Sequence, residues 1–281
     1  MTRDERITKL RKGRWIRYPR AEQILAQLDE LLKHPKTHRM PNQLVFGETN
    51  NGKTALIQRF VQQHLPKLGD DRTLSRIPVV VIQAPPVPEE RRFYQAILSQ
   101  VFAPFRPSSS IEDLQHETLR MLVTINVKML IIDEIHHVLA GPLLKQRHFL
   151  NVIKYMGNEL QIPLVAAGTH DAFNAIQIDP QLANRFEPAL LPRWSMNEDY
   201  LRLLASFEPT LRLDRPSNLI DPVLATKILT LSGGTIGEIS TLLTRAASRA
   251  IDDGSECITN GTLDACGYVA PSERRRVALG T

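Results

Sequence analysis

Cysteine is almost missing from this sequence. Cys257 and Cys266 are the only two among 281 residues, and no second Cys or His pair stands at zinc-ligand spacing. They read as reduced thiols, not as a disulfide framework or a zinc module. Long apolar runs are missing too. None approaches the roughly 18 residues that cross a bilayer, so no membrane span is expected. The N-terminus is charged and lacks the apolar core of a signal peptide, which makes the cytoplasm the expected compartment. No Asn-Lys-x-Asp base-reading motif occurs, which speaks against a GTPase. No internal repeat is present either.

What remains is a chain of ordinary globular composition, with room for one large α/β domain and a smaller helical one. Its net charge of +5 is unevenly placed. Residues 1–20 hold eight basic side chains (Arg3, Arg6, Lys9, Arg11, Lys12, Arg14, Arg17, Arg20) against Asp4 and Glu5, while the other 261 residues balance 27 basic against 28 acidic groups. The basic character therefore belongs to an N-terminal arm, with Trp15 and Tyr18 interleaved. Such an arm can bind nucleic acid through phosphates, dock on an acidic partner, or be a solvated tail.

Apolar spacing at Ile24, Leu25, Leu28, Leu31 and Leu32 predicts an amphipathic helix over 21–34, ending before Pro35. Short apolar runs at 44–46, 79–82, 127–132, 164–167 and 189–191 alternate with helical stretches, the pattern of a parallel sheet covered on both faces. From Asn197 the pattern is purely helical. The expected organisation is a basic arm and amphipathic helix over 1–40, a nucleotide-binding domain over 41–195, a helical lid over 196–268 and a basic tail over 269–281.

Two motifs carry chemistry. Gly47-Glu48-Thr49-Asn50-Asn51-Gly52-Lys53-Thr54 satisfies G-x-x-x-x-G-K-[ST], follows a strand and opens a helix. Its glycines let backbone N–H groups turn around phosphate oxygens, Lys53 reaches the β- and γ-phosphates, and the Thr54 hydroxyl ligates magnesium. The cofactors expected are therefore ATP and Mg2+. The strand 129–132 then delivers Asp133 and Glu134 to its carboxyl end. Asp133 is placed to hold the magnesium through water, and Glu134 to activate the attacking water as general base. Asp133-Glu134-Ile135-His136 also spells a helicase DExH box, but that class needs two motor domains and this chain has motifs for one. Adjacent His136 and His137, with no i+4 partner, read as the start of a helix and not as a metal site.

Two further residues have open readings on spacing alone. Thr169, at the tip of the strand 164–167, is either a γ-phosphate contact or a plain strand end. Arg185 is either a surface ion-pair partner or a guanidinium that stabilises a neighbouring subunit's transition state.

Together these residues resemble an AAA+ ATPase, close to the TniB and TnsC group of transposition helper ATPases. The resemblance is carried by GETNNGKT, LIIDEIHHVLAG (130–141), VAAGTHDAF (165–173) and LANRF (182–186). It implies a three-layer αβα domain with a five-stranded parallel sheet plus a C-terminal helical lid, with Thr169 as sensor 1 and Arg185 as arginine finger. It also implies a protein that oligomerises as a ring or filament on double-stranded DNA and recruits or activates a DDE transposase. One position departs from the pattern. The lid segment Gly234-Thr235-Ile236-Gly237-Glu238 has the outline of the sensor 2 motif, yet carries Glu238 where many relatives have arginine. Arg245 is the substitute considered. A helicase loader of the DnaC or IstB kind and a weakly hydrolysing nucleotide-bound adaptor are the alternatives. DNA contacts are expected from Arg11, Lys12, Arg14 and Arg17, and from the basic loop residues Arg91, Arg92 and Arg106.

Overall fold

The computed structural model describes residues 2–68 and 74–278. The chain divides into two compact units, one comprising residues 23–47 and 53–191 and the other residues 1–22, 48–52 and 192–281.

The first unit is built on β1 (Asn42–Gly47), β4 (Val79–Gln83), β5 (Met129–Asp133), β6 (Leu164–Gly168) and β7 (Phe186–Leu191), with a short antiparallel pair, β2 (Lys67–Leu68) and β3 (Leu74–Arg76), beside the chain path. The five strands form an all-parallel sheet in the order β4-β5-β6-β1-β7. Every residue of β5 and β6 is buried, as two covered faces require. The fifth strand begins three residues earlier than its apolar run suggests, because Phe186, Glu187 and Pro188 pair with Asn42, Gln43 and Leu44. Pro188 is tolerated there because β7 is an edge strand. Helices Glu90–Gln100, Ile111–Thr124 and Leu143–Leu160 send Phe93, Tyr94, Leu122, Phe149 and Ile153 into the core against Val80, Leu130 and Ile132. Register pairs Gly47 with Leu191, Phe46 with Gly168 and Gln83 with Asp133, so the strands' carboxyl ends share one edge. That edge is where an open parallel sheet presents its ligand site.

The second unit is helical: Arg3–Arg11, Glu198–Leu211, Pro222–Ser232, Ile236–Asp253, Asn260–Ala265 and Arg274–Ala278. Tyr200, Leu204, Phe207, Ile228, Leu242, Leu243 and Ala246 are buried within it. Asn197 and Asp221 cap helices at their N-termini, the latter followed by Pro222 in the first turn. The segment expected as an arm is ordered. A capping box between Thr2 and Glu5 starts the helix Arg3–Arg11. Arg6 Nη2 meets Glu256 Oε2 at 2.7 Å, Arg3 Nη2 meets Asp252 Oδ1 at 2.6 Å, and Leu10 and Ile16 are buried. Arg3 and Arg6 therefore hold the segment down, which charge counting could not reveal. Of the expected basic tail, Arg274–Ala278 is helical, and residues 279–281 lie outside the described residues. Among the described residues, no helix is long and apolar enough to cross a membrane.

Candidate nucleotide site

At the carboxyl edge of the sheet, β1 runs into Gly47, where any Cβ would collide with the carbonyl oxygen of Leu191. The helix Lys53–Gln63 begins shortly after it. Lys53 is buried, and its ammonium donates to the Gly47 carbonyl oxygen at 2.9 Å, which folds the side chain back along the loop. Thr54 Oγ1 donates to Asp133 Oδ2 at 2.9 Å, and the backbone N–H of Glu134 donates to Asp133 Oδ1 at the same distance. A hydroxyl and a carboxylate in contact at this edge are the hard oxygen donors that magnesium takes. The two residues named from sequence for that ion therefore fit it.

Glu134 sits in the left-handed region at φ 56° and ψ 37°, a conformation that costs a non-glycine residue about 1–3 kcal/mol. The kink turns the chain at the end of β5 and sends the Glu134 carboxylate back to the edge. There it lines a cavity of about 410 Å³ with Thr54, Gln83 and Asp133. His136 Nε2 stands 3.2 Å from Glu134 Oε2. Gly168 makes room for that imidazole, since a Cβ there would lie 2.9 Å from His136 Nδ1. The histidines open a 3₁₀ helix, Ile135–Ala140. Their spacing gave no metal reading, yet the fold brings one ligand atom each of Glu134, His136 and His137 within 4.8 Å of one another. A nitrogen-rich set of this kind suits a transition ion and not magnesium.

Thr169 follows β6, the strand beside β1, and so stands at the same edge. Its Oγ1 is buried without a hydrogen-bond partner, a state that costs about 1–3 kcal/mol and that a bound phosphate or water relieves. Arg185 lies at the opposite edge, immediately before the Phe186–Asn42 pair. With strands rising about 3.3 Å per residue, it sits roughly 17 Å or more from Gly47 at the carboxyl end of β1. Its guanidinium donates to Asn158 Oδ1 at 3.0 Å and to the Met40 carbonyl at 3.4 Å. Burial, and then the neighbouring Arg39, push its pKa below the ordinary arginine value.

The tip of the loop, Glu48–Gly52, packs within the helical unit. Asn50 and Gly52 both take positive φ, 59° and 85°. Gly237 N–H donates to the Asn50 carbonyl at 3.0 Å, Ile236 N–H donates to Asn51 Oδ1 at 3.3 Å, and Asn51 Nδ2 donates to the Pro192 carbonyl at 2.9 Å. A Cβ at position 237 would overlap the Asn50 side chain, so only glycine permits this approach. The loop tip thereby caps the N-terminus of the helix Ile236–Asp253.

Glu238, at the end of the segment with the sensor 2 outline, completes the arrangement. Arg245, the substitute considered for the sensor 2 arginine, donates to the Gly267 carbonyl at 2.7 Å. Glu238 instead accepts from Asn50 Nδ2 at 3.0 Å, from the Tyr268 hydroxyl at 2.7 Å and from both terminal nitrogens of Arg274, Nη1 at 3.1 Å. Arg274 lies 36 residues downstream, where no motif points to it. Burial alone would raise the Glu238 pKa, but the bonds from Arg274, Tyr268 and Asn50 outweigh it and hold the carboxyl below its usual range. A depressed folded-state pKa contributes stability that is present above the unfolded value and lost as pH falls through the folded one. Arg274→Ala is therefore expected to lower the melting temperature near neutral pH. The difference from wild type should vanish in acid below the ordinary carboxylate range. Melting curves across pH check this, and a pH-independent difference would mean that the pair does not carry the effect.

The DNA-contact candidates separate. Arg11, Lys12 and Arg14 line one cleft of the helical unit, and Arg17 is exposed next to them. Arg92 pairs with Glu89 at 2.7 Å, Arg91 donates to the carbonyls of Pro107 and Ser109, and Arg106 shares a pocket with Asp113 and Glu117.

The family model described as the bacterial TniB protein matches residues 6–196. No curated protein matches the chain. Among solved structures, the ORC1 protein of Aeropyrum pernix in complex with DNA is similar with a TM-score of 0.64 at 17% identity, covering 97% of this chain and 70% of that one. The ORC2 protein of Aeropyrum pernix, in ADPNP–ADP complexes, gives 0.63 at 14%, covering 92% and 70%. The Walker-type ATPase of Pyrococcus abyssi gives 0.63 at 14%, covering 97% and 77%. At these identities the likeness is one of fold, an α/β fold with a five-stranded parallel sheet.

Proposed function

Because this chain belongs to the TniB family, we propose that it is an ATP-dependent regulator of DNA transposition that assembles on duplex DNA and recruits or activates a DDE transposase. The observation that carries the ATPase part is the joining of Lys53, Thr54, Asp133 and Glu134 at one sheet edge. In this reading Lys53 neutralises the transferred phosphate, and Thr54 and Asp133 hold magnesium, which when bound screens phosphate charge. Glu134 takes the proton of the attacking water, and Thr169 orients the water or the γ-phosphate through its unpartnered hydroxyl. The DNA part is supported by the basic cleft and, by analogy of fold, by the ORC1 structure determined with DNA.

The test is ATP turnover measured alone, with duplex DNA, and with DNA plus the cognate transposase and element ends in an integration assay. Stimulation by the partners, together with nucleotide-dependent integration, is the expected result. Turnover indifferent to both partners would contradict the proposal. A second reading, an adaptor that holds nucleotide and hydrolyses little, is favoured by one observation: position 238 offers the loop a carboxylate already saturated by Arg274 and Tyr268, and no guanidinium for the γ-phosphate. A single slow turnover, unchanged by DNA and transposase, would favour it.

Arg185 is predicted to act on a neighbouring subunit. Its place at the far edge of the sheet keeps it from the phosphates of its own chain. Arg185→Ala and Glu134→Gln proteins, each inactive alone, should recover part of the ATPase activity when mixed, because shared interfaces pair an intact base with an intact guanidinium. Mixed oligomers that stay inactive would remove the role.

A further inference from the structure

A second basic feature of the helical unit is a cleft whose lining includes none of the phosphate-loop residues. A cavity of about 720 Å³ is walled on one side by Arg11, Lys12 and Arg14, at and just beyond the end of the N-terminal helix, and on the other by Arg245, Arg249 and Asp252 of the helix Ile236–Asp253. Five cations thus face a single carboxylate. That carboxylate is already engaged, since Asp252 Oδ1 accepts from Arg3 Nε at 2.7 Å. Among the described residues, Arg249 pairs with the exposed i,i+4 partner Asp253 at 3.5 Å, a pairing worth little in water. Arg14 and Arg245 each spend one nitrogen on a backbone carbonyl, at 2.9 and 2.7 Å, and a guanidinium has about five N–H donors. Burial, and then the neighbouring Arg212 outside the cleft, lower the pKa of Arg14.

The crowding is maintained by structure. Arg3 and Arg6 spend their charge on Asp252 and Glu256, and Leu10 and Ile16 are buried, so the wall carrying Arg11, Lys12 and Arg14 is fixed against the one carrying Arg245 and Arg249. A preorganised cleft with four guanidiniums among five cations calls for a polyvalent anion that can accept forked hydrogen bonds.

We propose that this cleft is the phosphodiester-backbone site of the protein, in which Arg245 and Arg249 of the lid helix act together with Arg11, Lys12 and Arg14. This rests on the reading that the protein works on duplex DNA, and it adds Arg245 and Arg249 of the lid helix to the contact surface. Because the groups present are guanidiniums and one ammonium aimed at phosphates, binding is independent of base sequence and strongly salt-dependent.

The experiment uses the full chain and a fluorescein-labelled duplex of arbitrary sequence, titrated at several salt concentrations. Arg245→Gln with Arg249→Gln is expected to weaken binding about tenfold or more. It should also reduce the slope of log affinity against log salt by about 1.8, which is roughly 0.9 for each phosphate that the variant no longer neutralises. Arg11→Gln with Lys12→Gln, on the opposite wall, should weaken binding to a similar extent. Arg202→Gln, an exposed arginine paired with Glu198 and Asp199, should leave it unchanged. Melting curves establish that each variant is folded. Wild-type DNA binding with affinity and slope unchanged in both double variants overturns the cleft while leaving the DNA reading intact. No DNA binding by wild type at low salt defeats that reading itself. Unchanged DNA binding together with loss of transposase capture would make the cleft a seat for an acidic protein segment and overturn the proposal.

Discussion

Replacing Lys53 with alanine is expected to weaken ATP binding by about a hundredfold or more. The ammonium is buried against the loop whose carbonyl at Gly47 it touches at 2.9 Å, so the charge is held at the phosphate cradle before nucleotide arrives. Removing one partner of a desolvated charge pair costs about 3–5 kcal/mol, and each step of about 1.4 kcal/mol is tenfold in affinity. Titration of a fluorescent ATP analogue reads the effect directly. A dissociation constant within a few-fold of wild type would show that the loop does not hold phosphate. Full integration activity by this variant would show that nucleotide is not needed for the proposed task.

Glu134→Gln is expected to behave differently: ATP affinity stays near wild type, while turnover falls by about 10²–10⁴-fold, the contribution of a positioned general base. Glutamine has the same shape, so the left-handed turn at position 134 and the bond from its N–H to Asp133 Oδ1 are kept. Only the ability to take a proton is lost. The strain held at this residue, and its place in the cavity shared with Thr54 and Asp133, are what a functional carboxylate at a strand end requires. Comparing single-turnover rates with binding separates the two effects. Equal loss of affinity in both variants, or unchanged turnover here, would remove Glu134 from the base role.

Much of this site was legible because its chemistry is local in sequence. A phosphate loop needs its glycines, its lysine and its hydroxyl within about eight consecutive residues, and Gly47–Thr54 meets that need on one strand–helix turn. Asp133 and Glu134 end an apolar run, and a run buried on both faces can end only at a sheet edge. Thr169 was legible in position but not in state, since the absence of a partner for its hydroxyl depends on what packs around it. Arg274 was illegible. It meets Glu238 across 36 residues, and long-range pairing leaves no periodic trace.

By itself, then, the sequence determined the strand and helix alternation, the glycine-rich turn Gly47–Thr54 between strand and helix, the acidic strand end and the excess of positive charge in residues 1–20. Each follows from side-chain periodicity or from residue types confined to a short segment. Tertiary structure alone decided the strand order β4-β5-β6-β1-β7, which sets Thr169 at the carboxyl end of the strand beside β1 and Arg185 at the amino end of β7. It also decided that Asn50 is bound to Glu238 and through it to Arg274, and that the basic segment is a helix pinned by Arg3 and Arg6. These outcomes depend on which distant carboxylates and apolar faces are within reach once the chain has folded. Charge and hydropathy counted along the chain carry no information about that distance.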